Sequence, residues 1–238
     1  MTEQTHWRLA LMFNAVDGDL ARLEAGMKQA RDPIRAAAGP HPVRMGIADR
    51  HPDLVAPDEI FNRMAHWRLV DGALEVTVAN DRVADLPAIC RALRPALAEC
   101  ADLSTVEIMA GPIFPMVPTR QGDAFLSLAF RRYPGTTSQD FRQWWLEQHS
   151  RIATPVLEPE LLAYEQVHVE PAASKSAADA FGAPYVEYDA YDNLTWHDRR
   201  AFLQSCTKDL EGMARIEADE VGRIDDYSRR HSLMREIS

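Results

Sequence analysis

Two histidines and a tyrosine are the residues of this chain best suited to chemistry. In LLAYEQVHVE (161–170), Tyr164, Gln166 and His168 fall at alternate positions and so share one face of a strand. His149 closes the stretch SQDFRQWWLEQHS (138–150), four residues after Trp145 and eight after Phe141, on the buried side of an amphipathic helix. An imidazole near a carboxylate is a credible general base, because its pKa lies near neutrality and the carboxylate fixes its tautomer. A tyrosine hydroxyl can donate to a carbonyl or enolate oxygen as charge builds there. The chemistry suggested is proton transfer on a small molecule. The plainer reading of His149 is a core histidine bonded across a helix–sheet interface.

Other chemistries lack their signatures. There is no GxGxxG, GxxxxGK[ST], HExxH or GxSxG motif. Cys90, Cys100 and Cys206 form no CxxC pair, which fits reduced thiols in a cytoplasmic protein, and no metal site is expected. His6, His41, His51, His66, His197 and His231 lie in or near loops and ends without metal-ligand spacing and read as background. The 238 residues carry a formal charge of −10, so no excess of Lys and Arg exists to neutralise a nucleic acid or an anionic membrane. No apolar run approaches the ~20 residues of a membrane span, and the polar start of MTEQTHWRLALMFNAV is not a signal peptide. A hydrophobic fraction of 46% with 26% charged residues is that of a globular chain able to bury a core.

The elements that must position these residues follow from period and punctuation. WRLALMFNAV (7–16) reads as a strand, DGDLARLEAGMKQARDPI (17–34) as a helix interrupted by Pro33, and PVRMGIADRH (42–51) as a second strand. After a connection containing Pro52 and Pro57 come a strand at 69–80, a helix at 83–101 with an internal Pro95, and a strand at 104–114. A Pro-marked linker (115–123) precedes a strand at 124–132 and a helix from about 139 to 156, with Ser138 as its N-cap. Then follow the strand at 161–170, a loop of small residues at 171–183, a strand at 184–193, a long helix at 195–222 and a last strand at 231–237. Each half is β-α-β-β-α-β.

That order predicts an α+β fold of two tandem ferredoxin-like units, 1–114 and 124–238, joined by the linker 115–123. A ferredoxin-like sheet leaves one face bare, so the two halves should cover each other as an intrachain α+β barrel with helices outside and a cavity between the sheets. Apolar Ala163, Val167 and Val169 should then meet the helices and Tyr164, Gln166 and His168 should face the cavity, with Glu165 out of place. The same logic aims Tyr185, Glu187, Asp189 and Tyr191 inward, sets Leu126, Leu128 and Phe130 against the helices, and turns Ser127 and Arg131 to the cavity. Tyr164, His149 and His168 are the candidate catalytic groups; Gln166, Glu187, Asp189, Tyr185 and Arg131 are candidate binding groups.

The second half resembles the EthD-like family of the dimeric α+β barrel superfamily. The residues that carry the resemblance are Arg132-Tyr133-Pro134-Gly135, Ser138 to Phe141, Trp145 to His149, and Tyr164-Glu165-Gln166-Val167-His168. The ADEVGRIDD stretch, with Asp219 and Asp225, matches the region before that family's last strand. The first half keeps the element order without these motifs and reads as a diverged copy. The resemblance implies the barrel fold. Its chemistry is open, because the superfamily includes lactone isomerases, polyketide cyclases and haem-degrading monooxygenases.

Three functions remain. One is a cofactor-independent isomerase, cyclase or lyase/dehydratase acting on a small apolar carbonyl or phenolic compound, with His168 shuttling the proton, Tyr164 polarising the oxygen and Glu187 or Asp189 orienting the imidazole. The second is a non-catalytic binding or accessory protein using the same cavity. The third is a haem- or oxygen-using barrel. A homodimer is compatible with all three.

Overall fold

The computed structural model describes residues 6–51 and 68–237; Pro52, Pro57 and His66 lie outside the described residues. The first unit runs β1 (His6–Ala15), α1 (Leu20–Gln29), α2 (Arg31–Ala38), β2 (Val43–Ala48), the two-residue β3 (Arg68–Leu69), β4 (Gly72–Ala79), α3 (Leu86–Ala98) and β5 (Ala101–Val117). Pro33 stands in the first turn of α2, where its missing N–H costs nothing, and so the expected single helix becomes two. The second unit has β6 (Ala124–Arg132), α4 (Ser138–Trp144), a π-turn (Trp145–His149), α5 (Ser150–Leu157), β7 (Leu161–His168), α6 (Pro171–Phe181), β8 (Ala190–Trp196), α7 (Arg199–Thr207), α8 (Leu210–Glu220) and β9 (Ile224–Glu236).

Within each unit the strands lie in the order fourth, first, third, second: β5-β1-β4-β2 and β9-β6-β8-β7. The units join edge to edge. β5 pairs antiparallel with β7 (Ile113 opposite Val167) and β2 with β9 (Ile47 opposite Arg235), which closes an eight-stranded antiparallel barrel with no bare edge. This is the expected α+β barrel of two ferredoxin-like units. No helix of the described residues is long and apolar enough to cross a membrane.

The expected chamber between the sheets is smaller than the sequence suggests. An eight-stranded barrel is just wide enough for its own side chains to fill; here they fill its middle, and a polar pocket of about 460 Å3 lined by Arg8, Arg44, Glu165, Asn193 and Thr195 remains at one mouth. Met12, Met109, Phe125, Val167 and Met234 pack along the axis. Beside them Arg8 pairs with Glu75 at 3.1 Å and with Glu165, while Tyr191 and Asn193 also donate to Glu75. Thr119 completes Glu165 at 2.9 Å, and Ser127 meets the Tyr191 hydroxyl at 2.8 Å. Glu165, out of place on the helix side of its strand, is instead the second-unit partner of a first-unit arginine.

Two further differences have local causes. The small-residue stretch 171–183 is a helix, not a loop: Pro171 sits at its first turn and Gly182 caps it in the left-handed region at φ 79°. Ala177, Ala178 and Phe181 of that helix pack into the first unit's outer core, and Ser174 bonds Ala110 at 2.9 Å, so the second unit lends a helix to cover the first. The N-cap of α4 is Thr137, whose Oγ1 accepts the Asp140 N–H at 3.1 Å, and Ser138 is already the first helical residue.

β5 and β7 approach so closely that a Cβ on Gly111 would overlap the backbone carbonyl of His168. Gly111→Ala is therefore expected to cost about 1–3 kcal/mol in a denaturant titration, as an overpacked core site does.

Candidate functional site between the second sheet and its helices

The middle of the barrel is filled, and a second cavity opens on the helix-facing side of the second sheet. A cavity of about 440 Å3 lies between β6, β7, β8 and β9 below and α5, α7 and α8 above. That volume is in the range of small-molecule sites. Leu126, Leu128, Leu194 and Trp196 from the strands face Leu157, Phe202, Met213 and Ile216 from the helices, giving an apolar body. At one end the wall turns polar, with Tyr164, Asp192, His149, Glu220, Arg229 and His231. Asp49, Arg50, His51 and Leu69 of the first unit also line this cavity.

The π-turn sets the imidazole. Its wider turn places residues five apart one above the other, so Trp144 and His149 point the same way. Both reach the end of α8: His149 Nδ1 lies 3.0 Å from Asp219 Oδ2, and Trp144 Nε1 and Gln148 Nε2 donate to Asp219 Oδ1 at 3.2 and 3.1 Å. Burial works against the Asp219 carboxylate, but these donors hold its pKa below the ordinary value. An ionised carboxylate only accepts, so the Nδ1 proton belongs to that bond. Nε2 is left facing Glu220 Oε1 at 4.0 Å on the cavity side. Trp145 points the other way, buried against Phe130 and Phe141 at ring-centroid distances of 5.4 and 5.8 Å.

Asp192 is the residue that sequence reasoning missed. It lies on β8 between Ala190 and Leu194, on the helix side of the sheet, and only 6% of it is exposed. Among the described residues its Oδ1 accepts no hydrogen bond. Burial pushes its pKa up from the usual carboxylate value to about 7, reinforced by Glu220 and opposed by His149, Arg229 and a hydrogen bond from Tyr164. The legible signal was a carboxylate inside the apolar stripe Ala190, Leu194, Trp196. His231, which carries no signal in the sequence, is also in the cavity wall; burial, with Arg229 and Arg50 nearby, lowers its pKa to about 3 and keeps it neutral. Arg229 is held by Glu220 at 2.6 Å and Asp226 at 2.9 Å.

The remaining sequence candidates divide. Tyr164, Gln166 and His168 do share a face, but it is the helix face, the reverse of the expected direction; Ala163, Glu165 and Val167 turn into the barrel. The expectation failed because it assumed that a helix-facing side must be apolar, and this one carries the polar end of the cavity. Tyr164 and His149 line the cavity. Gln166 and His168 lie behind it: Gln166 Nε2 donates to the Trp145 carbonyl and to the Tyr164 hydroxyl, both at 2.9 Å, and its Oε1 is 3.4 Å from His168 Nε2. The His168 ring is stacked on Trp145 at 5.0 Å and packed on Phe114 at 4.3 Å. Burial, then Arg142, brings its pKa down to about 3, so it is a neutral ring and a poor proton shuttle.

The other four are elsewhere. Glu187 is exposed in the segment before β8. Tyr185 packs on the first unit's outer core. Asp189 takes the backbone N–H of Arg132 at 3.0 Å together with its guanidinium, tying down the start of the Arg-Tyr-Pro-Gly turn. Arg131 is half exposed and pairs with Asp225 at 3.1 Å. The expected strand at 184–193 begins only at Ala190, which is why the face assignment before it fails.

Among the described residues no three His, Cys, Asp or Glu side chains are grouped as a metal ion would require.

Comparison with known proteins agrees with this architecture. The EthD domain family matches residues 133–226, which span the π-turn, β7, β8 and α8. No curated protein matches the chain. Among solved structures, a candidate monooxygenase from Fusobacterium nucleatum superposes with a TM-score of 0.56 at 6% identity, covering 100% of this chain and 94% of that one. A mutant chlorite dismutase from Candidatus Nitrospira defluvii gives 0.55 at 9% identity, covering 98% and 91%. A protein described as a candidate chlorite dismutase gives 0.55 at 12%, covering 99% and 96%. At such identities the likeness is one of fold. Residues 133–226 of this chain thus match the EthD domain family, and they lie in the second unit of an α+β barrel.

Proposed function

We propose that the helix-side cavity of the second unit binds a small, largely apolar carbonyl or phenolic compound and catalyses proton transfer on it without a resident cofactor, as an isomerase, cyclase or lyase does. One observation carries this reading: a carboxyl buried at the polar end of an otherwise apolar cavity, with one oxygen unbonded and a pKa raised to about 7. A base matched to neutral pH is what proton abstraction requires. Asp192 would take a proton from carbon and return it, and Tyr164 would donate to the oxygen on which negative charge develops. His149, its Nδ1 held by Asp219, presents Nε2 beside Glu220 as a second proton carrier. The leucines and aromatic rings around them keep water away from the reacting atoms.

Haem, the alternative raised by the superfamily, does not fit. A helical imidazole held by a carboxylate, as His149 is by Asp219, is the kind of group that would hold haem iron. Its Nε2, however, faces Glu220 at 4.0 Å, and Asp192, Glu217 and Glu220 add three carboxyl groups to the cavity wall against a porphyrin dianion. No step is assigned to it.

The test follows the proton rather than a guessed product. Small aryl ketones and phenols retained by the full-length protein in native mass spectrometry are incubated with it in D2O. Catalysed exchange of the carbon-bound proton α or ortho to the oxygen is expected, rising through about pH 7. Ligands that bind yet exchange no faster than in buffer between pH 5 and 9 would make the chain a binding protein instead.

A further inference from the structure

We propose that Gln166 and His168 are positioning residues that fix the direction of the Tyr164 O–H bond, aiming its hydrogen into the cavity at Asp192. The direction follows from donor and acceptor chemistry. The Trp145 carbonyl can only accept, so the group of Gln166 that lies 2.9 Å from it is the amide NH2. The same nitrogen lies 2.9 Å from the Tyr164 hydroxyl and gives it the second amide hydrogen. Gln166 Oε1 is left as an acceptor, so His168, 3.4 Å away, carries its proton on Nε2. The His168 ring cannot turn out of this role, being held between Trp145 and Phe114. With its oxygen accepting from Gln166, Tyr164 has one hydrogen left to give. The carboxyl beside it is that of Asp192, on the neighbouring strand β8 and in the wall of the same cavity.

Hydrogen bonds therefore run one way, from His168 through Gln166 and Tyr164 to Asp192. An ordinary tyrosine between two acceptors would divide its donation, whereas this one is committed to the cavity before any ligand arrives. The part this plays in turnover rests on the proton-transfer reading above; the direction of the chain does not.

The other groups around Asp192 are His149 from the π-turn, Glu217 and Glu220 from α8, Asp226, Arg229 and His231 from β9, and Asp49, Arg50 and His51 from the first unit. None of them is hydrogen-bonded to Gln166 in the bonds described above, but Gln166 itself stands opposite Asp192 across β7 and β8, so the double variant is what separates an effect through Tyr164 from a direct one.

The test reads the Asp192 titration midpoint by NMR in full-length protein labelled with 13C at the aspartate carboxyl, with no ligand present. Tyr164→Phe removes a donor to the carboxylate and is expected to raise the midpoint by about one unit. Gln166→Met keeps the shape but not the N–H, removing the donor that commits the Tyr164 hydrogen to the cavity, and is expected to raise the midpoint by up to that amount. The double variant should rise no further than Tyr164→Phe alone. If Gln166→Met does not fold, His168→Phe, which keeps the ring stack and loses the N–H, should raise the midpoint by a smaller amount. A midpoint that stays put or falls in Gln166→Met or its substitute, or that does not rise in Tyr164→Phe, overturns the proposal. Absence of turnover would remove the enzymatic reading and leave these shifts in place.

Discussion

Asp192→Asn is expected to lower the exchange or turnover rate by about 10²–10⁴-fold while leaving ligand affinity within about tenfold, and to make the protein more stable at alkaline pH. The first effect is the usual size for loss of a general base. The second follows from linkage. In the unfolded chain the carboxyl has its ordinary value of 3.8, and in the fold it is raised to about 7. Its favourable contribution is fully present below pH 3.8 and is lost as pH rises through the folded value, because the fold prefers the protonated form. Over that window the wild type should lose on the order of 3–4 kcal/mol relative to the amide variant, which cannot ionise. Chemical denaturation at pH 4.5 and pH 8 checks this: the two proteins should be close in the acid and well separated in the base. A variant that is inactive and destabilised at both pH values would mark Asp192 as structural.

The second large effect is in the barrel. Arg8→Met leaves Glu75 and Glu165 buried without their cation, and a loss of about 3–5 kcal/mol is expected in denaturant midpoint experiments. Replacing both carboxylates by Gln in the same chain should recover much of it, since the pairs compensate each other's desolvation. Because Arg8 belongs to β1 and Glu165 to β7, the network also ties the two units together. A single variant as stable as wild type would mean that water or another cation reaches the carboxylates.

Much of this molecule was legible in its sequence. Element order, the proline and glycine punctuation and the alternation of Leu126, Leu128 and Phe130 were enough for the two-unit barrel. The motifs from Arg132 to His168 pointed to the half of the chain that matches the EthD domain family. The site was less legible for a physical reason. Period-two patterning says which residues share a face, and a neighbouring layer then has to be guessed from polarity. On β7 that guess inverts, because Tyr164, Gln166 and His168 are polar yet face helices, and Glu165 is charged yet faces the barrel interior. On β8 the strand starts late, so Glu187 and Asp189 drew the interest that Asp192 holds. His149 was placed on the buried side of its helix, but its partner Asp219, 70 residues away, is fixed by how α8 packs.

The most direct test is the carboxyl titration of Asp192 in the wild-type protein without ligand, read by 13C NMR against the Asp192→Asn spectrum. A midpoint near 7 is the predicted result, for it is the property that makes the helix-side cavity able to move a proton at neutral pH. A midpoint near 4, the value of a carboxyl in water, would mean that the group is solvated and that the cavity only holds its ligand.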